Sequence, residues 1–233
     1  MQSYWAKKRK QSDMILIQGK GLSGSALKVI ALVSMTLDHI AYYLMDKSIA
    51  YDAMRTVGRM AFPIFAFLLV EGYVHTRSVR KYALSLFGFA LVSDIPWWLL
   101  NHDNTHNVFF TLLLGLWALM AVERLKLTPS AQCFAVGMLA VISTCLHADY
   151  EWHGVFLIVF FYLFRNRWAL MAMFTVPVME EYGMLGYIVD LTLLVAYNGE
   201  RGFITGQYAK YGVYIFYSGH MCVIWLLWLY LQI

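Results

Sequence analysis

From Ala26 to Ile233 the chain alternates long apolar runs with short polar breaks. The runs lie near 26–46, 57–74, 82–100, 108–123, 131–147, 153–164, 168–179, 184–198 and 211–232. A helix needs about 20 apolar residues to cross the hydrocarbon core of a bilayer, and several runs reach that length. The pattern predicts an all-α, polytopic integral membrane helical bundle of about nine transmembrane helices, within bounds of about eight to ten. The sixth and seventh runs are short, which fits tilted, kinked or partly re-entrant elements. Pro63 falls inside the second run and predicts a kink there. No long hydrophilic insertion and no repeat interrupts the series. Residues 26–233 therefore read as a single transmembrane domain behind a basic N-terminal segment, 1–25.

Composition strengthens this picture. Hydrophobic residues make up 61% of the chain and charged residues 14%, against about 25% charged in soluble proteins. Apolar runs of this length need a bilayer or a partner to cover them. Cys133, Cys145 and Cys222 fall in apolar runs without CxxC spacing, so they read as packing residues and not as a disulfide frame or zinc site. The stretch MILI after the N-terminal basic run is too short for the apolar core of a cleavable signal peptide. GKGLSGS lacks the spacing of a phosphate loop and reads as a flexible lead-in.

The net charge of +4 matters less than its placement. With the N-terminus in the cytoplasm, the inner segments hold Lys7, Lys8, Arg9, Lys10, Lys20, Arg77, Arg80, Lys81, Arg124, Lys126, Arg165, Arg167, Arg201 and Lys210. The outer segments hold only Lys47, Arg55 and Arg59, and their loops are acidic or neutral. This is the positive-inside arrangement. No nucleic-acid partner is expected; the partner that the composition calls for is membrane lipid.

Ionisable residues inside a bilayer are costly and mark cavities, partners or pathways. Asp38 and His39 in the first run stand out. They point about 100° apart on a helix and do not face each other, so His39 is expected to find an orienting carboxylate on another helix. Asp38 is free to hold a cation such as Arg59, and Tyr42 or Tyr43 lies within a turn of the histidine. Lys28 sits about 16 Å before His39 on the same helix, at the inner mouth. Glu71, Asp94, Asp190 and His220 complete the set of intramembrane polar candidates. Each also has a plain structural reading, as an interhelical hydrogen bond, a buried ion pair or a snorkelling end group. His75, Thr76, Arg77, Arg80 and Lys81 form a basic inner patch suited to lipid headgroups or to a phosphorylated ligand. The outer loops carry HDNTH and HADYEWH, but loop histidines without an HExxH helix read as solvated, and no metal is expected.

The motifs LKVIALVSMTLDHIAYYL, VGRMAFPIFAFLLVEGYVHTRSVRKYALSL, LVSDIPW, NVFFTLLLGL, DYEWHGV and YIFYSGHMCVIWLL occur in that order. Together they resemble the TraX family of bacterial membrane proteins, from about Lys28 to Leu227. That family is named for a conjugative-plasmid member associated with N-terminal acetylation of pilin. It is similar to a wider superfamily of transmembrane acyltransferases that share a basic residue, ten residues and a histidine in one early span. Lys28 and His39 match that spacing, with Lys in place of the usual Arg. Near the end, an aromatic-Pro-x-His is expected where this chain has Tyr217-Ser218-Gly219-His220, which leaves the role of His220 open.

The resemblance implies a multi-pass protein of the bacterial cytoplasmic (inner) membrane with acetyl-CoA as acyl donor. Lys28, His75, Thr76, Arg77, Arg80 and Lys81 are then the expected cofactor-binding residues, and His39, Asp38 and Arg59 the expected catalytic set. His39 would act as general base or as an acyl carrier. Arg59 would orient the acceptor or stabilise the oxyanion. The acceptor would be a pilin N-terminus or an extracytoplasmic glycan. Two other classes compete: a proton-coupled transporter using Asp38, His39, Glu71 and Asp190, and a non-catalytic factor for pilus or fimbria assembly.

Overall fold

The computed structural model describes residues 21–231 apart from 126 and 205, with the side chains at 181 and 207–210 also outside the description. The N-terminal basic residues Lys7 to Lys10, Lys20, Lys126 and the Lys210 side chain thus lie outside the described residues. The described chain is helical, and its only extended pairings are two isolated bridges, Leu22 with Tyr197 and His106 with Ala148. The helices are α1 (Gly24–Leu44), α2 (Ile49–Gly58), α3 (Ala61–His75), α4 (Val79–Asn101), α5 (Val108–Glu123), α6 (Pro129–Cys145), α7 (Glu151–Phe164), α8 (Trp168–Val195) and α9 (Gln207–Leu231).

The polar breaks in the sequence supply the helix starts. Ser23, Ser48, Ser78, Asn107 and Thr128 each accept a hydrogen bond from a first-turn N–H, at Ala26, Tyr51, Lys81, Phe109 and Ala131. Such caps satisfy amides that the helix itself cannot. Pro129 follows its cap at the position where a missing N–H costs nothing.

Four helical stretches are long and apolar enough to cross a membrane: Gly24–Leu44, Ile49–His75, Val79–Asn101 and Tyr211–Leu231. The remaining apolar helices are shorter, at 10–17 residues. The second run differs from its expected bounds. It was expected to begin near 57, yet residues from Ile49 are already helical as α2, and a short break at Arg59 and Met60 leads into α3. Ser48 caps that extra helix, and its residues pack along α1.

α8 is a hairpin. Gly183 takes φ 115° and ψ 92° and divides it into arms Trp168–Glu180 and Tyr182–Val195. Glycine reaches this backbone region without Cβ strain. The Tyr187 hydroxyl meets Thr175 of the other arm, a contact that a straight helix would forbid at ~18 Å separation. The tip lies beside Arg59. Both open ends approach Glu71, Tyr197 by a 3.4 Å hydrogen bond and Arg165 by its charge.

The core is built on α3, α5 and α7, which touch one another and are enclosed by the other helices. Leu116, Leu119, Ile64, Val70, Leu157 and Ile158 are fully buried there. Gly115 lets α7 approach so closely that a Cβ would lie 2.3 Å from Ile158. Small residues at such crossings are how helices pack when lipid removes the hydrophobic drive between them. Helix ends sort by charge. Lys28, Arg77, Arg80, Lys81, Arg124, Arg165, Arg167 and Arg201 lie at one end, the basic end. The 102–107 and 146–150 turns, Lys47, Arg55 and Arg59 lie at the opposite end.

Candidate functional site

A cavity of about 580 Å³ opens at the basic end. Lys28 of α1, His75 of α3, Thr76 and Arg77 of the next turn, and Arg201 before α9 line its mouth. Glu71 and Tyr197 stand just inside. The walls then turn apolar, with Leu32 and Met35 of α1, Phe65 and Leu69 of α3, and Leu86 of α4. Its deep end reaches Val108 and Phe109 in the first turn of α5 and Tyr217 of α9. The cavity therefore runs from the basic end most of the way towards the other. Its size lies within the range of small-molecule sites.

The loop 196–204 builds the mouth by pairing with the start of α1. Leu22, Gly24 and Ser25 donate backbone hydrogen bonds to Ala196, Glu200 and Arg201 carbonyls at 2.8, 2.8 and 3.0 Å. Ser25 Oγ also donates to the Arg201 carbonyl at 2.7 Å. These bonds hold the Arg201 backbone beside Lys28.

One turn beyond Met35, His39 is paired with His220 of α9. His39 Nδ1 lies 2.7 Å from His220 Nε2, and the two nearly parallel rings have centroids 5.0 Å apart, so they meet edge to edge. His220 Nδ1 lies 3.0 Å from the Phe216 carbonyl. A carbonyl only accepts, so His220 carries its proton on Nδ1 and presents a lone pair at Nε2. His39 must then donate from Nδ1. Its own Nε2 is left unprotonated, with a lone pair for a proton or an electrophile. The expected orienting carboxylate for His39 is thus replaced by an imidazole. Tyr217 joins the pair to the cavity: it lines the deep end, and its ring packs 6.2 Å from His39 and 5.5 Å from His220.

The opposite end holds a charged cluster. Arg55 Nη1 donates to Asp38 Oδ2 at 2.7 Å, so the cation on Asp38 is Arg55 and not the expected Arg59. The change follows from α2, whose helical start carries Arg55 back onto α1. Asp38 Oδ1 is buried without a hydrogen-bond partner among the described residues. Arg59 instead lies over the Tyr182 ring at 5.8 Å and bonds the Tyr150 hydroxyl. Asp149, half-buried in the 146–150 turn, faces the same group. Burial pushes its carboxyl up to about 7, the Arg59 charge pulls it down, and Asp38 pushes it up again.

Other sequence candidates fall elsewhere. Asp94 accepts from His106 Nδ1 at 2.7 Å and from Asn107 Nδ2 at 2.9 Å, fixing the turn that starts α5. His106 N–H reaches the His147 carbonyl and Asp149 N–H reaches the His106 carbonyl, tying the 102–107 and 146–150 turns together. Tyr43 donates to Asn101 Oδ1 at 3.0 Å, with its ring 6.1 Å from His39. Tyr42 is exposed beneath the Arg55 guanidinium. Arg80 and Lys81 are exposed on the first turn of α4 and do not line the cavity. Asp190 is fully buried on the second arm of α8 and does not line the cavity, and neither carboxyl oxygen has a hydrogen-bond partner among the described residues. No group of three or more potential metal ligands occurs among the described residues.

Sequence reading did not place Arg55, Arg201, Asp149 or Tyr217 at the site. For Arg55 a signal existed: Ser48 as a helix cap, which moves the helix start ahead of the apolar run. Arg201 and Asp149 sit in turns whose positions depend on long-range pairing, and Tyr217 had a signal only as the aromatic of the Tyr217–His220 stretch.

The TraX protein family model matches residues 23–228. A probable fimbrial assembly protein FimC, serogroup H1, of Dichelobacter nodosus is 28% identical, over 87% of this chain and 94% of the relative. The uncharacterized protein RP591 of Rickettsia prowazekii (strain Madrid E) is 41% identical over 44% of this chain and 38% of its own length. No solved structure matches. With the family model spanning the cavity, the histidine pair and the charged cluster alike, the chain belongs to the TraX family.

Proposed function

We propose that this protein is a membrane-embedded acyltransferase of the bacterial cytoplasmic membrane that moves an acetyl group from cytoplasmic acetyl-CoA to an acceptor at the opposite face. One observation carries the reading. A cavity with a basic mouth ends at Tyr217, whose ring touches an imidazole pair with a free nitrogen. Lys28, Arg77 and Arg201 take the phosphates of the donor, Arg by bidentate pairing. Thr76 and His75 border the same mouth. The apolar length of the cavity takes the pantetheine arm, and the ~16 Å from Lys28 to His39 suits its reach.

In the reaction, His39 Nε2 takes the proton of the acceptor's amine or hydroxyl. The acceptor atom bonds to the thioester carbonyl carbon, the carbon–sulfur bond breaks, and the proton is returned to the CoA thiolate. The His39 Nδ1–H bond to His220 spreads the positive charge that builds on the imidazole. Arg59 and Asp149 lie on the acceptor's side. A pilin N-terminus or an extracytoplasmic glycan is the acceptor class. The Dichelobacter relative described as a probable fimbrial assembly protein supports a pilus-type acceptor. The transporter reading gains no support here, because Asp38, Glu71 and Asp190 share no hydrogen bond with one another among the described residues.

The test uses purified protein in nanodiscs with radiolabelled acetyl-CoA, wild type beside His39→Ala. Wild type is expected to release CoA and the variant to release none. Label retained on wild-type protein and lost with His39 would assign an acyl-histidine route. Full activity in His39→Ala would sink the assignment.

A further inference from the structure

The deep end of the cavity holds a polar group that the reaction above leaves unused. Tyr217 is 4% exposed and packs against Phe109, His39 and His220 at centroid distances of 4.9, 6.2 and 5.5 Å. Its hydroxyl is buried and without a regular hydrogen bond among the described residues. The Val108 N–H approaches the oxygen from the first turn of α5. That contact uses the oxygen as acceptor and leaves the O–H proton with no acceptor among the described residues. A buried donor left unpaired costs free energy in the resting fold. Tyr217 lines the deep end of the cavity, and its ring packs against both imidazoles.

We propose that the Tyr217 hydroxyl is a catalytic oxyanion donor, giving its hydrogen bond to the carbonyl oxygen of the transferred acyl group. The assignment rests on the acyltransferase reading and adds a residue to it. As the acceptor atom bonds to the carbonyl carbon, the π electrons move onto oxygen. Tyr217 stabilises that charge while keeping its own proton. The carbonyl reforms when the carbon–sulfur bond breaks and the thiolate leaves. A fixed donor in an apolar wall needs no reorientation at that moment, and such preorganisation gives oxyanion sites their effect. The residue that the sequence offered for this role, Arg59, does not line the cavity and is engaged by Tyr150 and Tyr182.

The experiment compares wild type, Tyr217→Phe and His39→Ala in nanodiscs, with acetyl-CoA turnover and thermal unfolding measured on the same samples. Tyr217→Phe keeps the ring packing and loses only the contact that the oxygen accepts from the Val108 N–H, so its melting temperature should stay close to that of wild type. Its kcat should fall about 100-fold or more, with KM for acetyl-CoA changed less than about threefold. A kcat within about threefold of wild type, with His39→Ala inactive, would remove Tyr217 from the mechanism and leave the acyltransferase reading standing. A loss of activity matched by a lower melting temperature would mark Tyr217 as structural and overturn the assignment. Wild-type protein that neither binds nor consumes acetyl-CoA would overturn both.

Discussion

His220 fixes which nitrogen of His39 is free, and it does so by presenting a lone pair to Nδ1. A substitute that keeps an acceptor there should keep part of the activity. His220→Gln is therefore expected to retain more acetyl-CoA turnover than His220→Ala, which should lose at least about tenfold in kcat. Equal activity in both variants would show that the 2.7 Å contact does not set the tautomer. Asp149 makes a prediction of a different kind. Its carboxyl has an ordinary value of 3.8 and is raised by burial to about 7 in the fold. The folded protein thus holds this proton across a pH range where the unfolded chain has released it. By linkage, stability falls as pH rises from about 4 to about 7 and is flat beyond. Asp149→Asn should remove that slope, so that the difference in melting temperature between variant and wild type grows towards neutral pH. A difference independent of pH would refute it.

At the level of elements, the contact of α2 with α1 decides where the charged cluster forms. Gly58 permits it: a Cβ at that position would lie 2.3 Å from the Asp38 Cβ. Gly58→Ala must push the two helices apart and stretch the Arg55–Asp38 pair. Overpacking of this kind costs about 1–3 kcal/mol, to be read as a lower melting temperature in detergent. Arg55→Ala should cost about 3 kcal/mol or more, because it leaves a largely buried carboxylate without its cation. If Arg59 instead took over the pair, Arg55→Ala would be mild. The α8 hairpin obeys the same logic at its tip, where Gly183 supplies a backbone turn that other residues reach only with strain.

For the molecule as a whole, the sorting of basic residues to one end predicts an orientation with that end towards the cytoplasm. With the native cysteines replaced, Lys81→Cys should react with a membrane-impermeant thiol reagent only from the cytoplasmic side. Asp103→Cys, in the turn at the opposite end of the bundle, should react only from the other side. The reverse result would place the basic cavity mouth outside and remove it from any cytoplasmic acyl-CoA. Four helical stretches are long enough to cross on their own. The shorter ones are carried by their neighbours, α5 and α7 in the core and the α8 arms against each other.

The sequence by itself determined that the chain is helical, that its apolar runs belong in a membrane, and where most helices begin. Those properties depend on local composition, caps and run length. It also singled out Lys28 and His39, since eleven residues on one helix fix their separation whatever the rest of the fold does. Tertiary structure alone decided the partners. Asp38 met Arg55 because α2 starts earlier than its apolar pattern indicates. His39 met His220, 181 residues away, because α9 packs on α1. Arg201 reached the cavity mouth through backbone bonds between its loop and the start of α1. Asp94 was indistinguishable in sequence from a functional carboxylate, and only its bonds to His106 and Asn107 mark it as a turn anchor. A side chain's depth in the bilayer is written in its position along one helix, whereas its partner is written in the packing of two.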